Sequence, residues 1–187
     1  MPHIHTLPGR MDQSVTAFIV RTDLDEPRML LHVHRKLGSL LPPGGHVELD
    51  ETPWMAIAHE LREESGYSLE ELRVVQPKIR LKHLSGITLH PVPLVSNTHD
   101  IPGDHFHTDL DYLLIASAAP QGKPEKGETQ EMLWLSRAEI VDLPREKIFD
   151  NTREIALFIF DEVLSSPAFE LVPATDFSLE KLKKSDS

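Results

Sequence analysis

The stretch Gly44–Tyr67, GGHVELDETPWMAIAHELREESGY, decides how the rest of the chain is read. Two glycines open it, an acidic turn follows, and then comes a segment with helical periodicity. Thr52 suits an N-cap, because its hydroxyl can accept a hydrogen bond from an amide of the first turn, and Pro53 suits the first helical position. Trp54, Ile57, Ala58 and Leu61 recur at spacings of zero, three, four and seven, which predicts a buried helical stripe. Trp54 is thereby assigned to the core rather than to a base-stacking platform. Gly66 fits the left-handed residue that ends many helices. Glu60, Glu63 and Glu64 fall off the apolar stripe and share a neighbouring face. Like charges so placed repel by about a few tenths of a kcal/mol per pair. A solvated acidic face is one explanation of the cluster, and a shared cation is the other.

The wider pattern separates the two. Gly45, five residues, Glu51, seven residues, then His59-Glu60-Leu61-Arg62-Glu63-Glu64-Ser65-Gly66-Tyr67 resembles the Nudix box at every named position but one. His59 stands where that family has arginine. The resemblance implies an α/β (α+β) fold of the Nudix type, an α/β/α sandwich with a mixed central sheet. It implies hydrolysis of a nucleoside diphosphate linked to another moiety, such as a nucleoside triphosphate, ADP-ribose or a nucleotide sugar. In the family, the glutamate matching Glu60 is a metal ligand or base, those matching Glu63 and Glu64 hold metal, and the residue matching Gly44 offers a backbone carbonyl. Glu51 matches a structural glutamate tied to the arginine that His59 replaces, with Gly45 and Gly66 structural as well. Many members take a further glutamate from a late loop, for which Glu128 and Glu131 are the candidates here, with Glu125 third. Dimers are common among relatives, so a homodimer is compatible with the resemblance.

The residues themselves point to the same ion. Magnesium prefers oxygen ligands and binds through a few carboxylates plus substrate phosphates, with manganese as a substitute. Histidine is shorter than arginine and titrates near neutrality. His59 can still hydrogen-bond Glu51 or Glu63, so the replacement is expected to be mild.

Upstream, residues 1–12 read as a flexible arm that carries His3 and His5. Ser14–Val20 and Met29–His34 read as a strand hairpin, with Leu31 and Val33 on one face and His32 and His34 on the other. Pro42-Pro43 stiffens the approach to Gly44-Gly45, where glycine permits backbone angles closed to other residues. Downstream, Leu72–Leu81 reads as a strand broken by Pro77, and a short strand is expected at Pro91–Val95 between long loops. His105–Ala116, HFHTDLDYLLIA, alternates, which places His105, His107, Asp109 and Asp111 on one strand face. That face is a wall of the substrate pocket, a polar outer surface, or a zinc grouping of two histidines and a carboxylate. The HxHxD-like run also resembles some Nudix subfamilies, which favours the pocket. Arg35, His46, His105, His107 and Asp109 are the pocket candidates. Ser136–Glu139 and Asn151–Glu154 have capping-box spacing, and Ile155, Phe158, Ile159 and Val163 form the stripe of a later helix. The domain is expected to span 13–165, followed by a tail over 166–187.

A chain of 187 residues with a net charge of -11 suits one domain that nucleic-acid backbones repel. It contains no cysteine, which excludes disulfides and thiolate metal sites. It also argues against an isomerase of the same superfamily, since those enzymes rely on a reactive cysteine. No run has the length of a signal peptide core or a membrane span, so a soluble cytoplasmic protein is expected. The rival to an enzyme is a silent nucleotide-binding or regulatory module of the same fold, which His59 favours and the intact glutamates disfavour.

Overall fold

β1 (Met11–Arg21) is the strand on which the others are arranged. Its Val15, Thr16, Phe18, Ile19 and Val20 suit a pleated surface covered on both faces. It starts upstream of the expected Ser14, so Met11 and Asp12 belong to the sheet and not to an arm. β7 (His105–Ala116) runs parallel to β1 from the Met11–Phe106 pair to the Arg21–Ala116 pair. β2 (Arg28–Val33) returns from β1 as an antiparallel hairpin partner, and β3 (Leu40–Leu41) and β8 (Met132–Ser136) both pair with β2. β4 (Gly44–His46) lies antiparallel against Ser14, Val15 and Thr16. The other edge of β7 carries β6 (Val95–Ile101) and, further along, β5 (Leu72–Pro77), to which β9 (Phe169–Pro173) is added. Among the described residues these nine strands form one mixed sheet.

This computed structural model describes residues 9–35, 37–101 and 105–180. His3 and His5, and the end of the expected tail over 181–187, lie outside the described residues.

Helices cover both faces. α1 (Pro53–Glu60) begins as expected, with Thr52 Oγ1 accepting from Met55 N and Pro53 in the first turn. It passes into a π-helical turn over Leu61–Ser65 and stops at Gly66, whose φ is +74°. Trp54, Ile57, Ala58 and Leu61 pack on Val15, Ala17, Ile19 and Leu114. The Trp54 ring sits edge-on to Tyr112 and Phe177, at 5.3 and 5.8 Å. On the opposite face, α2 (Arg137–Asp142) and α3 (Asp150–Phe158) cover Phe18, Val20, Met29, Leu31 and Leu113. The result is the α/β/α sandwich with a mixed sheet. No described helix is long and apolar enough to cross a membrane.

Several expectations are corrected. The strand after the loop is Val95–Ile101, not Pro91–Val95, because prolines supply no donor to a ladder. Pro77 ends β5 rather than interrupting it. The face against the sheet is Thr152 and Ala156 of α3 with Ile159 and Val163 of the π-helical turn that continues it over Ile159–Val163, while Phe158 is 45% exposed. The capping box at Ser136 forms, but α3 starts at Asp150, ahead of Asn151, whose side chain accepts from Thr152 N instead. The segment after 165 is part of the sheet through β9, and Phe177 docks it against α1.

Candidate active site

Two glutamates of the motif helix, Glu60 and Glu64, meet β4, and Glu63 lies beside them. Glu64 is held by the start of β4: Gly44 N donates to its Oε2 at 2.9 Å. His32 Nε2, on the adjacent part of the sheet, lies 3.4 Å from the same oxygen. Burial holds the His32 pKa down to about 4, so this is a contact with a neutral ring and not an ion pair at physiological pH. Glu60 points at Gly45. Its side chain was expected to lie off the buried face, yet it is only 2% exposed. Among the described residues its Oε1 has no hydrogen-bond partner.

The two glycines are required here for a reason other than backbone angle. Neither has a positive φ. A Cβ on Gly44 would overlap the Val15 carbonyl oxygen, and a Cβ on Gly45 would overlap the Glu60 carboxylate. The residues act by leaving room for a strand on one side and a carboxylate on the other.

Crowding appears in the protonation behaviour. Burial, reinforced by Glu64 and Glu63, pushes the Glu60 carboxyl up to about 8. Burial pushes Glu64 up to about 7, against the lowering effect of the Gly44 amide and with Glu128 and Glu63 raising it. Oxygen ligands with unrelieved mutual repulsion form a donor set that fits a hard divalent cation.

Glu63 is partly exposed and is oriented by His59, whose Nε2 lies 2.6 Å from Glu63 Oε1. On the other side of the ring, His59 Nδ1 lies 3.4 Å from Glu51 Oε1. The imidazole thus spans both glutamates.

The late loop docks on the end of this helix. Gly122 N donates to Gly66 O at 3.2 Å and Glu125 N donates to Glu63 O at 2.8 Å. A Cβ on Gly66 would come within 2.7 Å of the Gly122 backbone, so this residue serves the loop contact as well as the helix stop. Of the loop carboxylates, Glu128 is near enough to raise both Glu60 and Glu64. Glu125 contributes its backbone, and Glu131 is exposed.

The alternating face of β7 is not a polar outer surface. His105, Asp109 and Asp111 are buried and His107 partly so. Thr16 Oγ1 donates to Asp109 Oδ2 at 2.7 Å, and Asn97 Nδ2 donates to Asp111 Oδ2 at 3.1 Å. Burial, then the adjacent Asp109 charge, pushes Asp111 up to about 8. His46 joins this face, its Nε2 lying 3.2 Å from His107 Nε2. Asp12 also belongs here, and sequence reasoning missed it. The signal was present: alternation carried back from Thr16 and Ser14 places Asp12 on the same face. His32 and the burial of Glu60 were missed too. Arg35 is exposed on the turn after β2 and, among the described residues, makes no hydrogen bond or ion pair with the glutamates. Asp104 and its two predecessors lie outside the described residues.

The NUDIX domain family model matches residues 12–157. No curated protein matches the chain. Among solved structures, the chain is similar to a NUDIX-family hydrolase from Clostridium perfringens, with a TM-score of 0.64 and 28% identity over 80% of this chain and 96% of that one. It is similar to a MutT NUDIX hydrolase from Burkholderia pseudomallei, with a TM-score of 0.53 and 25% identity over 79% and 96% of the two chains. It also resembles the NUDIX domain of Shewanella oneidensis NrtR, solved in complex with ADP ribose. There the TM-score is 0.56 and the identity 16% over 81% and 87% of the chains, a likeness of fold alone.

Proposed function

The chain belongs to the Nudix family of hydrolases, and we propose that it cleaves the diphosphate linkage of a nucleoside diphosphate joined to another moiety, with magnesium held by Glu60, Glu63 and Glu64. The observation that carries this reading is Glu60, a buried carboxylate whose Oε1 has no hydrogen-bond partner among the described residues, crowded by Glu63, Glu64 and Glu128. Burying a charged oxygen without a partner is costly, and a cation at that oxygen removes the cost. The Gly44 carbonyl and Glu128 are the further oxygens assigned to the same ion.

Bound magnesium would neutralise charge on the diphosphate and make an attacking water more acidic. The chain's own residues set the geometry. Gly44 N–H fixes Glu64, His59 fixes Glu63, and Glu51 backs His59. Water adds to one phosphorus, the bridging P–O bond breaks, and a carboxylate of the cluster takes the proton that the water gives up. Asp109, His105 and His107, with His46 beside them, are assigned to the wall that faces the rest of the substrate. The acidic, cysteine-free composition suits a cytosolic enzyme acting on small nucleotides.

The test is a panel of nucleoside triphosphates, ADP-ribose, nucleotide sugars and dinucleoside polyphosphates, assayed with magnesium and read by release of nucleotide and phosphate. Release of a monophosphate product is expected from at least one class. Nucleotide binding with no product after long incubation, with magnesium or manganese, would instead establish the silent-module reading.

His59 allows a sharper check. Because the imidazole already spans Glu51 and Glu63, His59→Arg is expected to leave kcat/KM within about tenfold of the parent, or about 1.4 kcal/mol in barrier. A gain of about a hundredfold or more would mean that the natural histidine leaves the cluster poorly oriented.

A further inference from the structure

We propose that Asp12, His46, His105 and His107 form a second metal site, distinct from the glutamate cluster and selective for a transition ion such as zinc. Three of the strands place these residues. Asp12 is the register partner of His107 across the parallel β1–β7 pair. His105 precedes His107 by one strand period and so shares its face. His46 comes from β4, opposite Ser14 of β1. One carboxylate and three imidazoles from three adjacent strands therefore meet over one patch of sheet.

The distances fit a single ion. One ligand atom each from Asp12, His105 and His107 lie within 4.8 Å of one another. His46 Nε2 is 3.2 Å from His107 Nε2 and 3.8 Å from Asp12 Oδ2. Ligands bound tetrahedrally at zinc-like bond lengths stand about 3.3 Å apart. Small side-chain rotations would therefore bring four donors to that spacing without moving a strand. The residues are also taken out of water: Asp12 is 1%, His105 4% and His46 8% exposed.

The surroundings restrain the rings. The His46 ring meets His107 edge-on at 4.8 Å, and the His99 ring packs against His107 at 5.5 Å. His99 is itself tied through Nδ1 to Asn97 Oδ1 at 3.0 Å. A site built on strands, with its ligands held by neighbours, is pre-organised for binding.

Ligand chemistry keeps the two sites apart. Imidazole suits zinc, copper, nickel and iron, whereas an all-oxygen cluster suits magnesium. His46 follows Gly44, the residue that holds Glu64, by two positions on β4. A zinc ion bound there would fasten β4 to β1 and β7.

The experiment is zinc binding to the full chain by equilibrium dialysis against metal analysis, in millimolar magnesium so that the glutamates are occupied. About one equivalent of zinc at micromolar concentration is expected. Cobalt substituted for zinc should give the visible absorption of a tetrahedral site. The double variant His105→Gln, His107→Gln should weaken zinc binding by more than about a hundredfold, since loss of mere supporting groups already costs ten- to a hundredfold. Glu63→Gln should retain it. Circular dichroism checks the fold, and His46→Gln, with a partial loss of affinity, replaces the double variant if that one does not fold. No zinc uptake by the parent, or uptake undiminished in the histidine variants, would overturn the site. Uptake lost in Glu63→Gln but kept in the histidine variants would place the zinc on the glutamates and overturn it equally.

Discussion

Glu64→Gln is expected to lower kcat by about a thousandfold, on the order of 4 kcal/mol in barrier. The substitution keeps size and shape and removes charge. The glutamine oxygen can still accept from Gly44 N, so the helix end and β4 stay in place and the loss reports the missing anion. Glu64 is the carboxylate with the most fixed position, since Gly44 and His32 both touch the same oxygen. Glu63→Gln should lose less, about a hundredfold, because its carboxylate is more exposed and the His59 ring that sets its place can equally bond the glutamine amide. Glu131→Gln, on an exposed loop position, should be silent. Steady-state kinetics at saturating magnesium, on whichever substrate the panel yields, make the measurement. If Glu63→Gln and Glu64→Gln both retain turnover, the cluster lies outside the mechanism.

What the sequence could reveal here follows from where the information lies. β7 is legible to the residue, because alternation over His105–Asp111 and the apolar run after it are local properties of one strand. The helix N-terminus is equally local, since Thr52, Pro53 and the first stripe residues decide it among themselves. Glu60 is different. Its position off the hydrophobic stripe says nothing about what lies opposite, and what lies opposite is a strand whose glycine leaves a slot of carboxylate width. The π-helical turn after Glu60 also re-aims Glu63 and Glu64, because each turn there takes up an extra residue, and no simple helical projection contains that step. The same holds for Gly44 and Gly45: sequence offers two properties of glycine, conformational freedom and the absent side chain, and only the packed neighbours select the second. β9 was hidden because an edge strand with one half-buried face carries too little pattern to separate it from a tail. The grouping of Asp12 with His46 and His107 joins residues far apart in the chain, so it waits on the parallel register of β1 and β7.

That crowding of carboxylates makes the stability of the metal-free protein depend steeply on pH, with a sign opposite to the common one for acidic groups. In an unfolded chain a glutamate titrates near about 4.3. In the folded protein Glu60 is raised to about 8 and Glu64 to about 7, so the folded state holds more protons across that window. Stability therefore stands at its full value near pH 4 and falls as pH rises through the folded pKa values, by about 1.4 kcal/mol for each pH unit by which a group is raised. Asp111, raised to about 8 on the far side of β7, adds to the same slope. Magnesium held as proposed would bind the ionised cluster only in the folded state, so it should restore what the two glutamates lose and leave the Asp111 share untouched. In protein treated with a chelator, 5–10 mM magnesium is expected to raise Tm by about 5–10 °C at pH 8.5 and by less than about 2 °C at pH 5. Glu60→Gln supplies the internal control. It removes the most strongly raised carboxyl, so the metal-free variant should be more stable than the parent at pH 8.5, with a shallower slope and a smaller response to magnesium. Differential scanning calorimetry over pH 5–8.5 reads all three. An equal response to magnesium at both ends of the range, or a Glu60→Gln variant no more stable than the parent at pH 8.5, would mean that the glutamates are relieved by something other than a shared divalent ion.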